Sequence, residues 1–340
     1  MSATDRPVLV TGAAGFIGFH VCRALLARGE RVLGVDNLND YYDPRLKHAR
    51  LALLAAERGF EFRAADIAER ESMLELAASA DAPDRIVHLA AQAGVRYSMV
   101  NPYAYVTANV MGQVVMQELA RRLADGAGGL RHFVYASSSS VYGGNTKLPF
   151  AVEDRTDTPV SLYAATKRAD ELIAHAYAHL HQLPSTGLRF FTVYGPWGRP
   201  DMAAYLFAAA MLAGEEITVN NNGEMQRDFT YVDDIVAGVV AVLDNPPHRS
   251  ETAAPARVFN IGNSRSEPLM RFIGILEAAL GVKARLRFAP LPRADVVATY
   301  ADISAIERAV GYRPTTPIDV GIPRFVAWFR EYHGADRRAS

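Results

Sequence analysis

Residues 8–18 read Val8-Leu-Val-Thr-Gly-Ala-Ala-Gly-Phe-Ile-Gly18, and the fold follows from how this stretch changes character halfway along. An apolar strand runs into three spaced glycines, the point at which a strand gives way to a helix. Gly12 permits a tight turn. Gly15 lets the backbone approach a diphosphate where a Cβ would collide, and Gly18 lets the helix pack closely on the sheet. The first amides of the new helix point at an anion, helped by the helix dipole. Phe16, Ile17, Val21, Leu25 and Leu26 recur near helical spacing. A second apolar run, Arg31-Val-Leu-Gly-Val-Asp36, ends in an acid. Strand, glycine turn, helix, strand, acid is the order of a dinucleotide-binding βαβ unit, here with Gly-x-x-Gly-x-x-Gly spacing rather than the commoner Gly-x-Gly-x-x-Gly. Asp36 suits the ribose hydroxyls of an adenosine and repels a 2′-phosphate. Asn37 and Leu38 supply no cation to accept one, so the stretch points to NAD rather than NADP.

The chain around this unit has 340 residues, half of them hydrophobic, and a formal net charge of −1. That size supports one large or two modest domains. The charge makes no electrostatic case for nucleic acid or an anionic membrane. Cys22 is the single cysteine, which excludes an intramolecular disulfide and a cysteine-based zinc site; it reads as packing within the first helix. The histidines are scattered and none has metal-ligand spacing. The opening residues lack the apolar stretch of a signal peptide, and no run reaches the length of a membrane span. The default expectation is a soluble cytoplasmic protein.

Strand-like and helical runs alternate through the first half. Strands are expected at 60–66, 85–91, 132–137 and 185–191, with helical stretches over about 101–124 and from about 162. This alternation implies a parallel sheet covered on both faces, doubly wound by right-handed crossovers. Beyond residue 192 the pattern loosens. Helices are expected at 203–213 and 231–243, strands at 216–220 and 257–262, and a mixed tail follows. The fold class is therefore α/β: a Rossmann-like doubly wound parallel sheet with a smaller, discontinuous C-terminal α/β lobe.

Two features carry chemistry. Tyr163-Ala-Ala-Thr-Lys167 places a phenol and an ammonium on one helix face, about 6 Å apart along the axis. A free tyrosine has a pKa of about 10, and a neighbouring ammonium favours the phenolate, which is what a base for a sugar hydroxyl needs. Ser137-Ser-Ser-Ser140-Val-Tyr-Gly143 follows directly on a strand. Ligands of doubly wound sheets bind at the carboxyl ends of strands, so a hydroxyl there can bond the oxygen that the tyrosine deprotonates.

Together Thr11–Gly18, Ser137–Ser140, Tyr163-x-x-x-Lys167 and Arg227-Asp-Phe-Thr-Tyr-Val-Asp-Asp234 resemble the extended short-chain dehydrogenase/reductase superfamily over nearly the whole chain. Asp36–Asp43, His88–Tyr97 and Phe191–Asp201 narrow the resemblance to the UDP-glucuronate 4-epimerases. The resemblance implies tightly held NAD, a UDP-sugar substrate and a homodimer formed through the helices near 101–124 and 162–180. It implies an NAD-binding domain of residues 1–191 plus about 232–263, and a nucleotide-sugar lobe of about 192–231 plus 264–340.

Residue by residue, the resemblance makes Tyr163 the base at the C4 hydroxyl, with Lys167 holding the nicotinamide ribose. Ser138, Ser139 and Ser140 are to bond the sugar near C4 and C6, and Ser137, just before them, is to touch the cofactor. The cofactor is to lie along Gly12, Gly15, Phe16, Ile17, Gly18, Asp36 and Asn37. Asp66 and Ile67 are to meet its adenine, Leu89, Ala90 and Ala91 to line its path, and Asn109 to touch it. Thr192, Arg227, Arg293 and Asp295 are to hold the sugar, diphosphate and uridine ribose, a task suited to the forked donors of arginine.

The implied reaction is oxidation at C4, rotation of the 4-keto sugar and reduction on the opposite face. A ketone at C4 makes C6 a β-keto carboxylate, prone to lose carbon dioxide, so the carboxylate must be held. Arg199 is the first candidate for this and Arg96 the second. Related dehydratases carry an Asp-Glu pair, and related decarboxylases a Glu, where this chain has Ser139 and Ser140. A glucose/galactose-type 4-epimerase, a decarboxylase and a non-catalytic NAD-binding sensor of the same fold are the alternatives.

Overall fold

All four residues of β1 (Val8–Thr11) are buried, as a strand covered by helices on both faces requires. Val8 and Val10 pack with Phe19, Cys22 and Leu25, while Leu9 points the other way, into a second cluster with Met116, Leu119 and Phe133. Burying one such aliphatic side chain is worth roughly 2 kcal/mol.

The computed structural model describes residues 6–79, 81–250, 252–293 and 295–339. After β1 come α1 (Phe16–Ala27), β2 (Val32–Asp36), α2 (Pro44–Ala55), β3 (Phe60–Ala64), α3 (Arg70–Leu74), β4 (Arg85–His88), α4 (Pro102–Tyr105), α5 (Gly112–Asp125), β5 (His132–Ser138), α6 (Leu162–His181) and β6 (Ser185–Phe190). The second part contains β7 (Thr192–Tyr194), α7 (Ala203–Ala213), β8 (Glu216–Asn220), β9 (Gln226–Tyr231), α8 (Val232–Leu243), β10 (Ala256–Ile261), β11 (Ser266–Pro268), α9 (Leu269–Leu280), β12 (Arg285–Ala289), α10 (Ser304–Val310) and α11 (Ile318–Ala339).

Seven parallel strands form the main sheet in the order β10-β6-β5-β4-β1-β2-β3. Strand order reverses between β1 and β4, and such a switch point opens a crevice at the carboxyl ends of the strands. Val8 is in register with Val32 on one side and Arg85 on the other. A three-stranded sheet, β11-β9-β7, and a two-stranded one, β12-β8, belong to the later part of the chain.

Gly12 has φ +72°, and a Cβ there would lie 2.9 Å from the Ala90 amide nitrogen. A Cβ on Gly18 would sit 2.0 Å from the Gly12 carbonyl oxygen. Gly18 therefore answers to the turn, where the sequence reading assigned it to packing on the sheet.

The helix expected over 101–124 is present but not uniform. α4 and α5 are joined by a π-helical segment, Val106–Met111. Asn109, in that segment, is buried; it accepts from the Gln92 amide at 2.8 Å and donates to the Gln92 carbonyl at 3.1 Å and to Thr166 Oγ1 at 3.0 Å. Tertiary bonds of this kind hold the wider turn, and helical periodicity does not register them. Among the described residues no helix is long and apolar enough to cross a membrane.

Candidate active site

The crevice at the switch point is a cleft of about 1120 Å³. Its floor is the glycine turn. α1 begins at Phe16, one residue beyond Gly15, so its first amides open onto the cleft. At the end of β2, Asp36 accepts from the Ala14 amide at 3.2 Å and the Leu38 amide at 2.8 Å. A carboxylate offers about four acceptor sites, which leaves capacity for a diol. Asn37 donates to Asp66 at 2.8 Å, so the ends of β2 and β3 are tied together beside Ile67.

Lys47, from α2, also lines this end, 3.9 Å from Asp36. Its ammonium donates to Asn39 Oδ1 at 2.8 Å, and burial, against the pull of Asp36, lowers its proton affinity. The sequence reading missed it, because α2 carries no motif and reaches the site only through the fold.

The next wall is the end of β5 and the start of α6. Ser138 caps the single turn of 139–142: its Oγ accepts from the Ser140 amide and donates to Ser140 Oγ, both at 3.1 Å. Ser139 and Ser140 face the cleft with it. Ser137 is anchored behind them, donating at 2.6 Å to Glu171, which also pairs with Arg189 at 2.8 Å.

Ser161 caps α6 by accepting from the Ala164 amide, and Tyr163 and Lys167 follow in its first two turns. Both line the cleft. Tyr163 stands edge-on to Tyr105 with ring centroids 6.1 Å apart. The Lys167 ammonium donates to the Ala136 carbonyl and to Asp170, each at 3.0 Å. Burial opposes its charge, but Asp170 and Tyr163 outweigh burial and raise its proton affinity.

The opposite wall comes from the later part of the chain. Arg199 donates from Nε and Nη2 to Asp201, at 3.0 and 2.6 Å. Asp201 also accepts from the Tyr41 hydroxyl at 3.1 Å. Burial works against both charges, yet their pairing holds Asp201 below and Arg199 above the usual range. The Nη1 side of Arg199 is not engaged by Asp201. Arg50, fully buried, donates to the carbonyls of Ala14 at 2.8 Å and Trp197 at 2.6 Å, so the arginine loop is tied to the glycine turn.

The cleft thus gathers nearly all of the residues singled out from sequence: the glycine turn with Phe16 and Ile17, Asp36, Asn37, Asp66, Ile67, Leu89–Ala91, Arg96, Ser137–Ser140, Tyr163, Lys167, Thr192, Arg199 and Asp295. Three do not line it. Asn109 lies behind the wall on Gln92 and Thr166. Arg227 donates to the carbonyls of Gln226 and Val297. Arg293 is exposed. Arg96 and Asp295 form a bridge of 2.8 Å.

Sequence reasoning missed the wall made by α7 and β8, where Leu206, Phe207 and Ala210 meet Glu216, Thr218 and Asn220. One signal was available: Ala203–Ala213 is apolar almost all round, so it needs an apolar surface on more than one side. Among the described residues no group of three or more metal-ligating side chains stands together.

The family model for the NAD dependent epimerase/dehydratase family matches residues 8–262. UDP-glucuronate 4-epimerase 4 of Arabidopsis thaliana is 48% identical over 98% of this chain and 77% of its own length. A probable UDP-glucuronate 4-epimerase of Rhizobium meliloti is 44% identical over 94% of this chain and 96% of its own. Among solved structures, UDP-glucuronic acid 4-epimerase of Bacillus cereus, in complex with UDP-glucuronic acid and NAD, superposes with a TM-score of 0.87 at 32% identity, covering 96% of this chain and 99% of that one.

Proposed function

The chain belongs to the NAD dependent epimerase/dehydratase family, and from that premise we propose that it interconverts UDP-glucuronate and UDP-galacturonate through a 4-keto intermediate. One observation carries the reading: Tyr163 with Lys167, a serine turn without carboxylates, and an arginine all face one cleft that opens on a glycine turn.

The residues fit NAD. The turn has no room for a side chain at Gly12, Gly15 or Gly18, and Asp36 keeps acceptor capacity at the ribose position. Bound there, NAD would supply a hydride acceptor that gives the hydride back to C4, so that no net redox results. Asp66 and Ile67 sit where the adenine would lie, with Leu89–Ala91 along its path. A cleft of about 1120 Å³ exceeds what one small ligand needs and suits a dinucleotide and a sugar nucleotide together.

Tyr163 removes the proton from the C4 hydroxyl and later returns it. Lys167 holds the nicotinamide ribose and supplies positive charge beside the phenolate. Ser138, with Ser139 and Ser140, bonds the sugar near C4 and C6, and Ser139 and Ser140 help to hold the C6 carboxylate. The Nη1 side of Arg199 grips the C6 carboxylate, keeping the bond to carbon dioxide out of line with the C4 carbonyl. Arg96 is the reserve cation for that task. Hydroxyls at 139 and 140 cannot act as the acid and base for eliminating water, which disfavours dehydration. Leu206 and Phe207 offer a flat apolar seat for the nucleobase. Of the three residues that the resemblance assigns to the diphosphate and uridine ribose, Asp295 lines the cleft and keeps that role, whereas Arg227 and Arg293 do not line it and are given none.

In this reading residues 1–191 with about 232–263 form the cofactor domain, and about 192–231 with 264–340 form the sugar-nucleotide lobe. The protein is a homodimer in the cytoplasm. Support for the dimer is an exposed apolar surface on packed neighbours: Met99, Val100, Tyr103, Val106 and Met111 around α4, and Leu172 and Leu180 on α6.

Incubating the purified protein with UDP-glucuronate, with no added NAD, tests the function. UDP-galacturonate is the expected product. A UDP-pentose would make it a decarboxylase, and no turnover would leave a binding protein.

A further inference from the structure

Asp170 lies one turn beyond Lys167 on α6, and the mechanism above does not use it. Its side chain is 2% exposed, and its Oδ2 accepts from the Lys167 ammonium at 3.0 Å. Its Oδ1 is buried without a hydrogen-bond partner. The next carboxylate, Glu171, is already held by Arg189, Arg168 and Ser137. Lys167 in turn has three N–H donors. Ala136 and Asp170 take two of them, which leaves one for the cleft.

We propose that Asp170 is a positioning residue that fixes the Lys167 ammonium and cancels part of its field at Tyr163, and so sets where the acid limb of the pH–rate profile falls. This rests on the reading of Tyr163 and Lys167 given above. Asp170 raises the proton affinity of the buried ammonium, so Lys167 gives up its proton at a higher pH than it would without the counter-charge. The same negative charge, 3.0 Å from the ammonium, turns the monopole that Tyr163 would feel into something nearer a dipole.

The elements packed around the pair add few competing charges. On β4, His88 is held neutral by burial and by the charge of Lys167, down to about 3. On β5, burial keeps Tyr135 a neutral phenol. On β6, Arg189 is committed to Glu171. α5 presents Gln113, which donates to the Asp170 backbone carbonyl, and the buried Gln117. Beside Tyr163, burial keeps Tyr105 on α4 protonated, and across the cleft the Arg199 guanidinium, paired with Asp201, also couples to Tyr163 and is unchanged in the Asp170 variants. Asp170 itself is pushed up to about 6 by burial, against the pull of Lys167, so its charge is present at neutral pH and fades just below it.

Asp170→Asn replaces the charge with a neutral group of the same shape. In the full-length protein, kcat/KM for UDP-glucuronate is measured from pH 5 to 10. The acid limb should move to lower pH by about one unit, because Lys167 then acts on Tyr163 undiminished. The alkaline limb should move the same way, as Lys167 loses its counter-charge. Asp170→Ala should shift both limbs in the same direction. Limbs that stay in place in both variants, whatever happens to kcat, would overturn the proposal and make Asp170 a packing residue. An acid limb that persists in Tyr163→Phe would instead remove the reading of Tyr163 on which the proposal stands.

Discussion

The two walls of the cleft are built by different means. On the sheet side the geometry comes from backbone: a turn with no side chains at 12 and 18, a capped serine turn, and α6 started by Ser161. On the far side it comes from paired side chains: Arg199 on Asp201, Tyr41 on Asp201, and Arg96 on Asp295. A backbone seat cannot yield without disrupting the fold. A seat of ion pairs can exchange partners, which suits a sugar that must turn over during the reaction while its cofactor stays still.

If that contrast is right, the largest losses lie on the sheet side. Tyr163→Phe should lower kcat by about 10²–10⁴-fold, the usual contribution of a positioned base, with melting temperature and bound NAD unchanged. Gly18→Ala should cost ~3 kcal/mol of stability and strip the protein of NAD, since the added Cβ meets the Gly12 carbonyl at 2.0 Å; normal melting and full NAD content would break the comparison. Arg199→Ala, on the far side, should leave the fold intact and raise KM by about 10–100-fold, the scale of losing a charged hydrogen bond. It should also release UDP-pentose, and a variant with unchanged KM and no pentose would return the carboxylate to Arg96.

Acid acts on buried groups behind the cleft. His20, His88 and His132, on α1, β4 and β5, are held neutral chiefly by burial, down to about 4, 3 and 3. Their folded pKa values lie below the unfolded value, so the unfolded chain binds more protons as pH falls. Their stability is fully present above about pH 6.5 and is lost progressively toward pH 4, by about 3 kcal/mol for each of the two buried rings, His88 and His132, and by less for the half-buried His20. Asp228 on β9 has the opposite sign. Burial raises it to about 6, so it adds stability as pH falls from 6 toward 3.8, and Asp170 does the same. The histidines outweigh the two acids, and unfolding followed from pH 7 to 4 should show a falling melting temperature. A flat profile would contradict the burial of those rings. The smallest effect is expected for Tyr41→Phe, which removes one hydrogen bond to Asp201: about 1 kcal/mol, seen as a several-fold rise in KM without loss of NAD.

What could be read from sequence divides along the same line. The βαβ unit at 8–36 was legible because glycine spacing, strand and acid act locally, through backbone geometry. Ser137–Ser140 and Tyr163-x-x-x-Lys167 were legible as short patterns with a chemical purpose. Lys47 and the wall of Leu206 and Phe207 were not, because each reaches the cleft through tertiary placement of a segment with no motif of its own; Tyr41 lies in the recognised stretch 36–43, but nothing local there shows that its hydroxyl meets Asp201. Asn109 shows the reverse case. Its neighbourhood was read as ordinary helix, yet the fold spends its amide on Gln92 and Thr166 and widens the helix around it. Arg227 and Arg293 were named by resemblance alone, and neither lines the cleft.

The central claim is that Tyr163 and a resident NAD act on one carbon of the sugar and restore it without exchange. The measurement that tests it most directly uses UDP-glucuronate deuterated at C4, given to the purified protein without added cofactor. UDP-galacturonate should form with the deuterium still on C4 and no NADH released to solution. Deuterium washed out into water, or a product formed without breaking the C4–deuterium bond, would contradict it.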